Sequence, residues 1–307
     1  MSSTLATRAA LASVATALFL MAIKGWAALA TGSVAMLGSL ADTALDLLAS
    51  LITLAGVRIA ATPADAEHRF GHGKAEALAA LAQVAFIAVS ATMILVRAAT
   101  AWIEGETATA AEYGIGVSIA AIAATFALLA YQRHVIAQTG SVAITADNVH
   151  YQSDLLLNGA VILALVLDQY LGLRGADPLF GIAIALWLFW GAFRASQAAI
   201  AQLMDREWPE EKRRRFVECA AAIPELKSLH DLRTRSSGAQ DFVQFHIAMD
   251  GRLTLAETHA VVDALEKRLE TSFPGADVII HVDPEGQVDQ PDNPLAEADE
   301  LERLRGD

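Results

Sequence analysis

A chain of 307 residues that is 54% hydrophobic, with a mean hydropathy of +0.40, is too apolar for an ordinary soluble protein and points to a polytopic membrane protein with a soluble part attached. The formal charge of −13 includes no basic stripe that could neutralise phosphates, which excludes a nucleic-acid partner. A single cysteine, Cys219, excludes an internal disulfide and a thiolate metal cluster.

Six apolar segments follow one another, near residues 8–30, 34–60, 76–102, 113–131, 142–167 and 178–203. Each is long enough to cross a bilayer of roughly 30 Å, which takes about 20 helical residues. The first run is too long for a signal h-region and lacks a cleavage site, so it reads as a span. An even number of spans puts both termini on one side. Arg58, Arg69, Lys74 and Arg133 lie after spans two and four, Arg8 precedes span one, and Arg206 and Lys212 to Arg215 follow span six. The opposite loops carry Glu104, Glu106, Glu112 and only Arg174 as a base. The positive-inside rule therefore predicts cytoplasmic termini.

After Met204 the composition becomes that of a soluble domain. Residues 209–222 read as a helix, 229–234 and 242–249 as strands, 255–269 as a helix and 277–282 as a strand. That order suits a small α+β domain with helices on one face of a three-stranded sheet. Residues 286–307 hold seven acids, two bases, Pro291 and Pro294, and read as a disordered acidic tail. The predicted divisions are a membrane domain at 1–204, a cytoplasmic domain at 205–285 and a tail at 286–307.

Span two contains Asp42 and Asp46, four residues apart and so on one helix face. Bare carboxylates at membrane depth are costly enough to imply function. Span five holds a matching pair, His150 and Asp154. Two helices presenting two ligands each can close a tetrahedral site, and the imidazole favours zinc over magnesium or calcium. Asp147, one turn before His150, is expected nearer the water. In the loop after span two, Asp65, His68 and His72 form D-x2-H-x3-H, either a second metal site or a solvated, pH-sensitive connection. The C-terminal domain concentrates His230, His246, His259 and His281, with Asp283 on the same strand face as His281. His246 points off the core face formed by Val243, Phe245, Ile247 and Met249.

Together D-x3-D in span two, H-x3-D in span five, "FGHGKAE", "ADNVHYQSD" and "DVIIHVDP" resemble the cation diffusion facilitator family, in particular its bacterial zinc/proton antiporters. The resemblance covers about residues 5–285. It implies six transmembrane helices plus a cytoplasmic ferredoxin-like domain, assembled as a homodimer in the bacterial inner membrane. It further implies a transport site of Asp42, Asp46, His150 and Asp154, a loop site of Asp65, His68 and His72, and a binuclear C-terminal site of His230, His246, His259, His281 and a bridging Asp283. Lys74 and Asp205 match a salt-bridge pair near the dimer axis. Val149 stands where relatives carry a bulkier apolar gate. The implied activity is efflux of a divalent cation, Zn2+ or Cd2+, in exchange for protons by alternating access. Fe2+, Co2+ and Ni2+ are alternative cargoes. A membrane metal-dependent hydrolase is the rival, against which stands the lack of an H-E-x-x-H motif and of a nucleophile motif beside the ligands. A metal sensor or scaffold that does not transport is a second rival, which the buried ligand quartet argues against.

Overall fold

The long helices of the chain's first two hundred residues bury many alanines and leave many large apolar side chains exposed. The computed structural model describes residues 2–31, 34–104, 115–171, 176–286 and 299–306. Glu106, Glu112 and Arg174 of the loop-charge argument lie outside the described residues, as do 287–298 of the tail. Two compact units emerge, Met1–Ile200 and Ala201–Asp307.

The first unit contains α1 (Ser2–Thr31), α2 (Val34–Ala60), α3 (Ala75–Glu104), α4 (Ile115–Thr139), α5 (Val142–Leu171) and α6 (Ala176–Leu203). Helix α1 lies along α2 and α4, and α5 lies against α3 and α4. The interfaces use alanine: Ala6, Ala9, Ala10, Ala17, Ala77 and Ala80 are buried, while Leu29, Ile103, Trp26 and Phe126 are exposed. Small residues let backbones approach closely where lipid supplies no hydrophobic drive between helices. At Gly56 an added Cβ would lie 2.2 Å from the Ala79 Cβ, so α2 and α3 touch there only because the position is glycine. Gly140, at φ 63°, ends α4 and turns the chain into α5. Pro178 sits in the first turn of α6, where its missing N–H is tolerated. Among the described residues, five of these helices contain stretches long and apolar enough to cross a membrane. Helix α5, 30 residues long, carries the polar residues from Asp147 to Asp154 in its first half and an apolar run after them.

The second unit contains α7 (Glu210–Ala220), β1 (Ser228–Ser237), β2 (Gln240–Met249), α8 (Leu255–Ser272), β3 (Ala276–Pro284) and α9 (Glu300–Gly306). The sheet order is β1-β2-β3, with β1 and β2 antiparallel and β2 and β3 parallel. Helix α8 supplies the crossover that a parallel pair requires. Its start is fixed by a capping box, in which Thr254 accepts from the Glu257 backbone N–H and Glu257 accepts from the Thr254 backbone N–H. Phe216, Leu229, Leu232, Phe245, Ile247, Leu265 and Leu269 form the core.

The tail departs from expectation. Residues 300–306 form a helix, and Leu301, 3% exposed, enters the core of the second unit. Asp299 Oδ1 accepts from Leu229 N–H on β1 at 3.1 Å and from Leu301 N–H at 2.9 Å. Arg213 holds Glu300 at 3.1 Å. An acidic segment folds here because the edge of β1 offers it an unpaired backbone donor and an apolar seat. Neither is visible in the local composition.

Candidate functional site

Helices α2 and α5 bring Asp46, His150 and Asp154 together. One donor atom from each lies within 4.8 Å of the other two. His150 Nε2 is 3.1 Å from Asp46 Oδ1, and the His150 side chain is 7% exposed. The i,i+4 spacing on α5 stacks His150 and Asp154 on one face. Ser153 Oγ donates to the His150 carbonyl oxygen at 2.5 Å and lies 3.4 Å from Asp154 Oδ1. Tyr151 meets the imidazole edge-on and is anchored by its hydroxyl to Ser50 and to the Ser13 carbonyl. Asp42 lies outside the group of three; it is exposed, one turn nearer the start of α2.

Asp147 corrects the sequence reading. It is fully buried rather than near water. Its carboxylate accepts from Ser13 Oγ at 2.6 Å and Gln132 Nε2 at 2.7 Å, with Gln83 Nε2 at 3.4 Å. Gln132 Oε1 in turn accepts from Asn148 Nδ2 at 2.9 Å. This network ties α1, α3 and α4 to the helix that carries His150. Three neutral donors satisfy a buried carboxylate that would otherwise be prohibitively costly. Val149 joins an apolar cluster with Ile87, Ile184 and Leu188. It presses on Gly191, where an added Cβ would lie 2.9 Å from Val149 Cγ1. One further group escaped the sequence reading. Lys24, half-buried on α1, donates from Nζ to Thr43 Oγ1 at 2.7 Å, between the two aspartates of α2. A cation inside an apolar run was the signal that could have found it.

The loop cluster is also closed. Asp65 Oδ1 accepts the backbone N–H groups of His68 at 2.7 Å and Glu67 at 2.9 Å. The carboxyl is held below the usual carboxylate range, first by the His68 N–H, despite its exposure. His68 Nδ1 and His72 Nε2 lie 3.5 and 3.4 Å from its two oxygens. Gly71, at φ 75°, makes the turn that returns His72 to Asp65. His72 Nδ1 is buried with no hydrogen-bond partner among the described residues.

In the second unit the register places His230, His246 and His281 opposite one another across three strands. Asp283 Oδ2 lies 3.0 Å from His246 Nδ1 and 3.6 Å from His230 Nε2, while Oδ1 lies 3.3 Å from His281 Nε2. One carboxylate thus faces two imidazoles with one oxygen and a third with the other, and His230, His246 and Asp283 gather donor atoms within 4.8 Å of one another. His259 is not brought into this cluster. It lies exposed on α8, 3.7 Å from Asp263. Asp231, left-handed at φ 48° beside the irregularity in β1, approaches His246 Nε2 to 3.8 Å and was not anticipated. Asp205 pairs with Arg235 at 3.4 Å within its own unit. Lys74 lies in the turn before α3, where its carbonyl accepts from Leu78 N–H at 3.2 Å.

All three clusters mix imidazole nitrogen with carboxylate oxygen, a donor set that suits zinc and its neighbours rather than magnesium or calcium. Comparison with known proteins agrees with a metal-handling chain. Residues 10–204 match the cation efflux transmembrane domain, and residues 208–285 match the cytoplasmic domain of cation efflux proteins. A cation-efflux pump, FieF, of Pectobacterium atrosepticum is 45% identical over 280 residues, covering 91% of this chain and 93% of the pump. The FieF of Shewanella oneidensis is 46% identical over 273 residues, covering 89% and 92%. A metal-bound C-terminal domain of the CzcD transporter from Thermotoga maritima is 23% identical, covering 27% of this chain and all of that one, with a TM-score of 0.24.

Proposed function

The chain belongs to the cation efflux family, and on that premise we propose that it expels Zn2+ from the cell in exchange for protons. It is a membrane transporter of metal cations rather than an enzyme. The observation that carries the finer reading is the meeting of Asp46, His150 and Asp154 at 3–5 Å range between two apolar helices. These donors replace the water shell of a dication at membrane depth, and Asp42, one turn away on the same helix face, completes the set of four when its side chain turns inward. Cd2+ fits the same donors, and Fe2+, Co2+ and Ni2+ are the alternative cargoes.

Moving a dication out against 100 mV, inside negative, costs about 4.6 kcal/mol, from roughly 2.3 per charge. Protons entering through the same site offset part of this. Ligation requires deprotonated donors, so metal and protons compete for one set of side chains, and competition alone couples the two flows. Alternating access then exposes that set to each side in turn. The excess of Arg and Lys after spans two and four supports cytoplasmic termini in a bacterial inner membrane. The arrangement at Asp283 supports a resident binuclear Zn2+ site that stiffens the second unit within a homodimer, and the loop cluster supports a third site. The test is a metal panel presented to purified protein in liposomes with internal pH recorded. Zinc flux accompanied by opposite proton flux is expected. Zinc flux with no pH change would overturn the exchange, and no flux of any metal would overturn the transport reading.

A further inference from the structure

We propose that Lys24 is a resident counter-cation of the transport site, whose fixed charge keeps the site from holding its metal too tightly. The inference rests on the transport reading above. Lys24 lies inside the apolar stretch Thr4–Ala30 of α1, with its side chain half-buried. A lysine at such depth is expensive unless it has a partner and a task. Its ammonium donates to Thr43 Oγ1 at 2.7 Å. Thr43 is fully buried, donates onward to the Ser39 carbonyl at 3.1 Å, and sits one residue after Asp42 and three before Asp46. The ammonium is thus anchored on the helix that carries two of the site's acids.

Asp46, His150 and Asp154 gather donor atoms within 4.8 Å of one another, and Asp42 and Asp147 add carboxylates one turn before Asp46 and His150 on their helices. The donors around Asp147 are neutral. Lys24 supplies a positive charge that does not leave with the cargo. When a dication arrives the same charge repels it, and the repulsion acts on two charges at once. A transporter needs this moderation. A cage of several carboxylates and an imidazole in a low-dielectric bundle would bind zinc tightly and release it slowly. The bland alternative is that Lys24 merely ties α1 to α2 through Thr43. The two differ in what they do to KM.

The experiment measures initial zinc flux in proteoliposomes for wild type, Lys24→Met, Lys24→Gln and Lys24→Arg. The counter-cation role predicts that both neutral variants lower KM about tenfold and lower kcat by a similar factor, because the ion is held harder and leaves later. Lys24→Arg keeps the charge and restores both to within about twofold. An unchanged or raised KM in a folded neutral variant overturns the proposal. So does a Lys24→Arg variant that behaves like Lys24→Met. If both neutral variants fail to fold while Lys24→Arg folds, the charge is a structural tie and the proposal is again overturned. A wild type that moves no zinc would count against the transport reading instead, so the two failures are distinguishable.

Discussion

At the scale of single residues, His150 does the most. It is the one nitrogen donor in the transport site proposed above, and it is seated by Tyr151 and by Asp46 at 3.1 Å. An imidazole favours zinc, whereas carboxylates alone suit harder ions such as manganese. We predict that His150→Asp lowers the preference for zinc over manganese by about tenfold or more, the size of effect expected when a metal's immediate surroundings change. Competition binding with the loop and C-terminal clusters removed by mutation checks this, and an unchanged preference order would show that His150 is not a ligand. Asp65 offers a second residue-scale test, because it both folds the loop and offers ligand oxygens. Its carboxyl is held low by the backbone N–H groups of His68 and Glu67. A lowered value in the folded chain means its contribution is present above the ordinary carboxylate range and lost as pH falls through the lowered value. The loop should therefore keep its shape at mildly acid pH while metal leaves through protonation of other donors. Asp65→Asn, which can still accept from the backbone, should keep the loop's protection against hydrogen exchange and lose its metal. Loss of both together would show that the charge, not the turn, holds the loop. The shared face of His150 and Asp154 was legible in the sequence because period 3.6 converts spacing into a face, whereas their meeting with Asp46 on another helix, without Asp42, is a tertiary fact. The burial of Asp147 was not, since its partners Ser13, Gln83 and Gln132 come from three other helices.

At the scale of elements, the six membrane helices were legible because each contains a long apolar run, with Gly140 marking the end of α4 and Pro178 the start of α6. Helix α9 was not, because its stability comes from a surface elsewhere. It shields the outer edge of β1, whose Leu229 N–H donates to Asp299, and an unshielded edge strand invites association. Leu301→Ala should destabilise the second unit by about 2 kcal/mol, at the low end for a buried leucine because the helix is short. Removing residues 299–307 should lower the melting temperature further and promote self-association through β1. Thermal melts and size-exclusion chromatography of the 201–307 fragment check both, and melting unchanged by either variant would mean α9 is a bystander. The row of His230, His246 and His281 was half legible. Strand alternation put His281 with Asp283, but the register that aligns three strands is a tertiary fact. The place of His259, exposed on α8 and apart from that row, is equally beyond reach of spacing.

At the scale of the whole molecule, two units divide the work. The C-terminal unit has its own core and its own cluster, so metal should act on its stability. Ligand that binds only the folded state adds about 2.7 kcal/mol at 100 times its Kd. We predict that zinc raises the melting temperature of the 201–307 fragment and that Asp283→Ala abolishes the rise. The same substitution in the full chain should change stability and pairing more than transport, because this cluster lies outside the membrane helices. The membrane unit, by contrast, carries the central claim, that metal crosses by resting on Asp46, His150 and Asp154. The most direct measurement is zinc flux into liposomes containing purified Asp154→Ala, with Asp65→Ala as the parallel control and folding verified for each. Asp154→Ala should lower flux on the order of 100-fold or more, since even groups behind a metal's ligands cost about 10–100-fold in affinity, while Asp65→Ala should retain most of it. Flux by Asp154→Ala equal to wild type would contradict that claim.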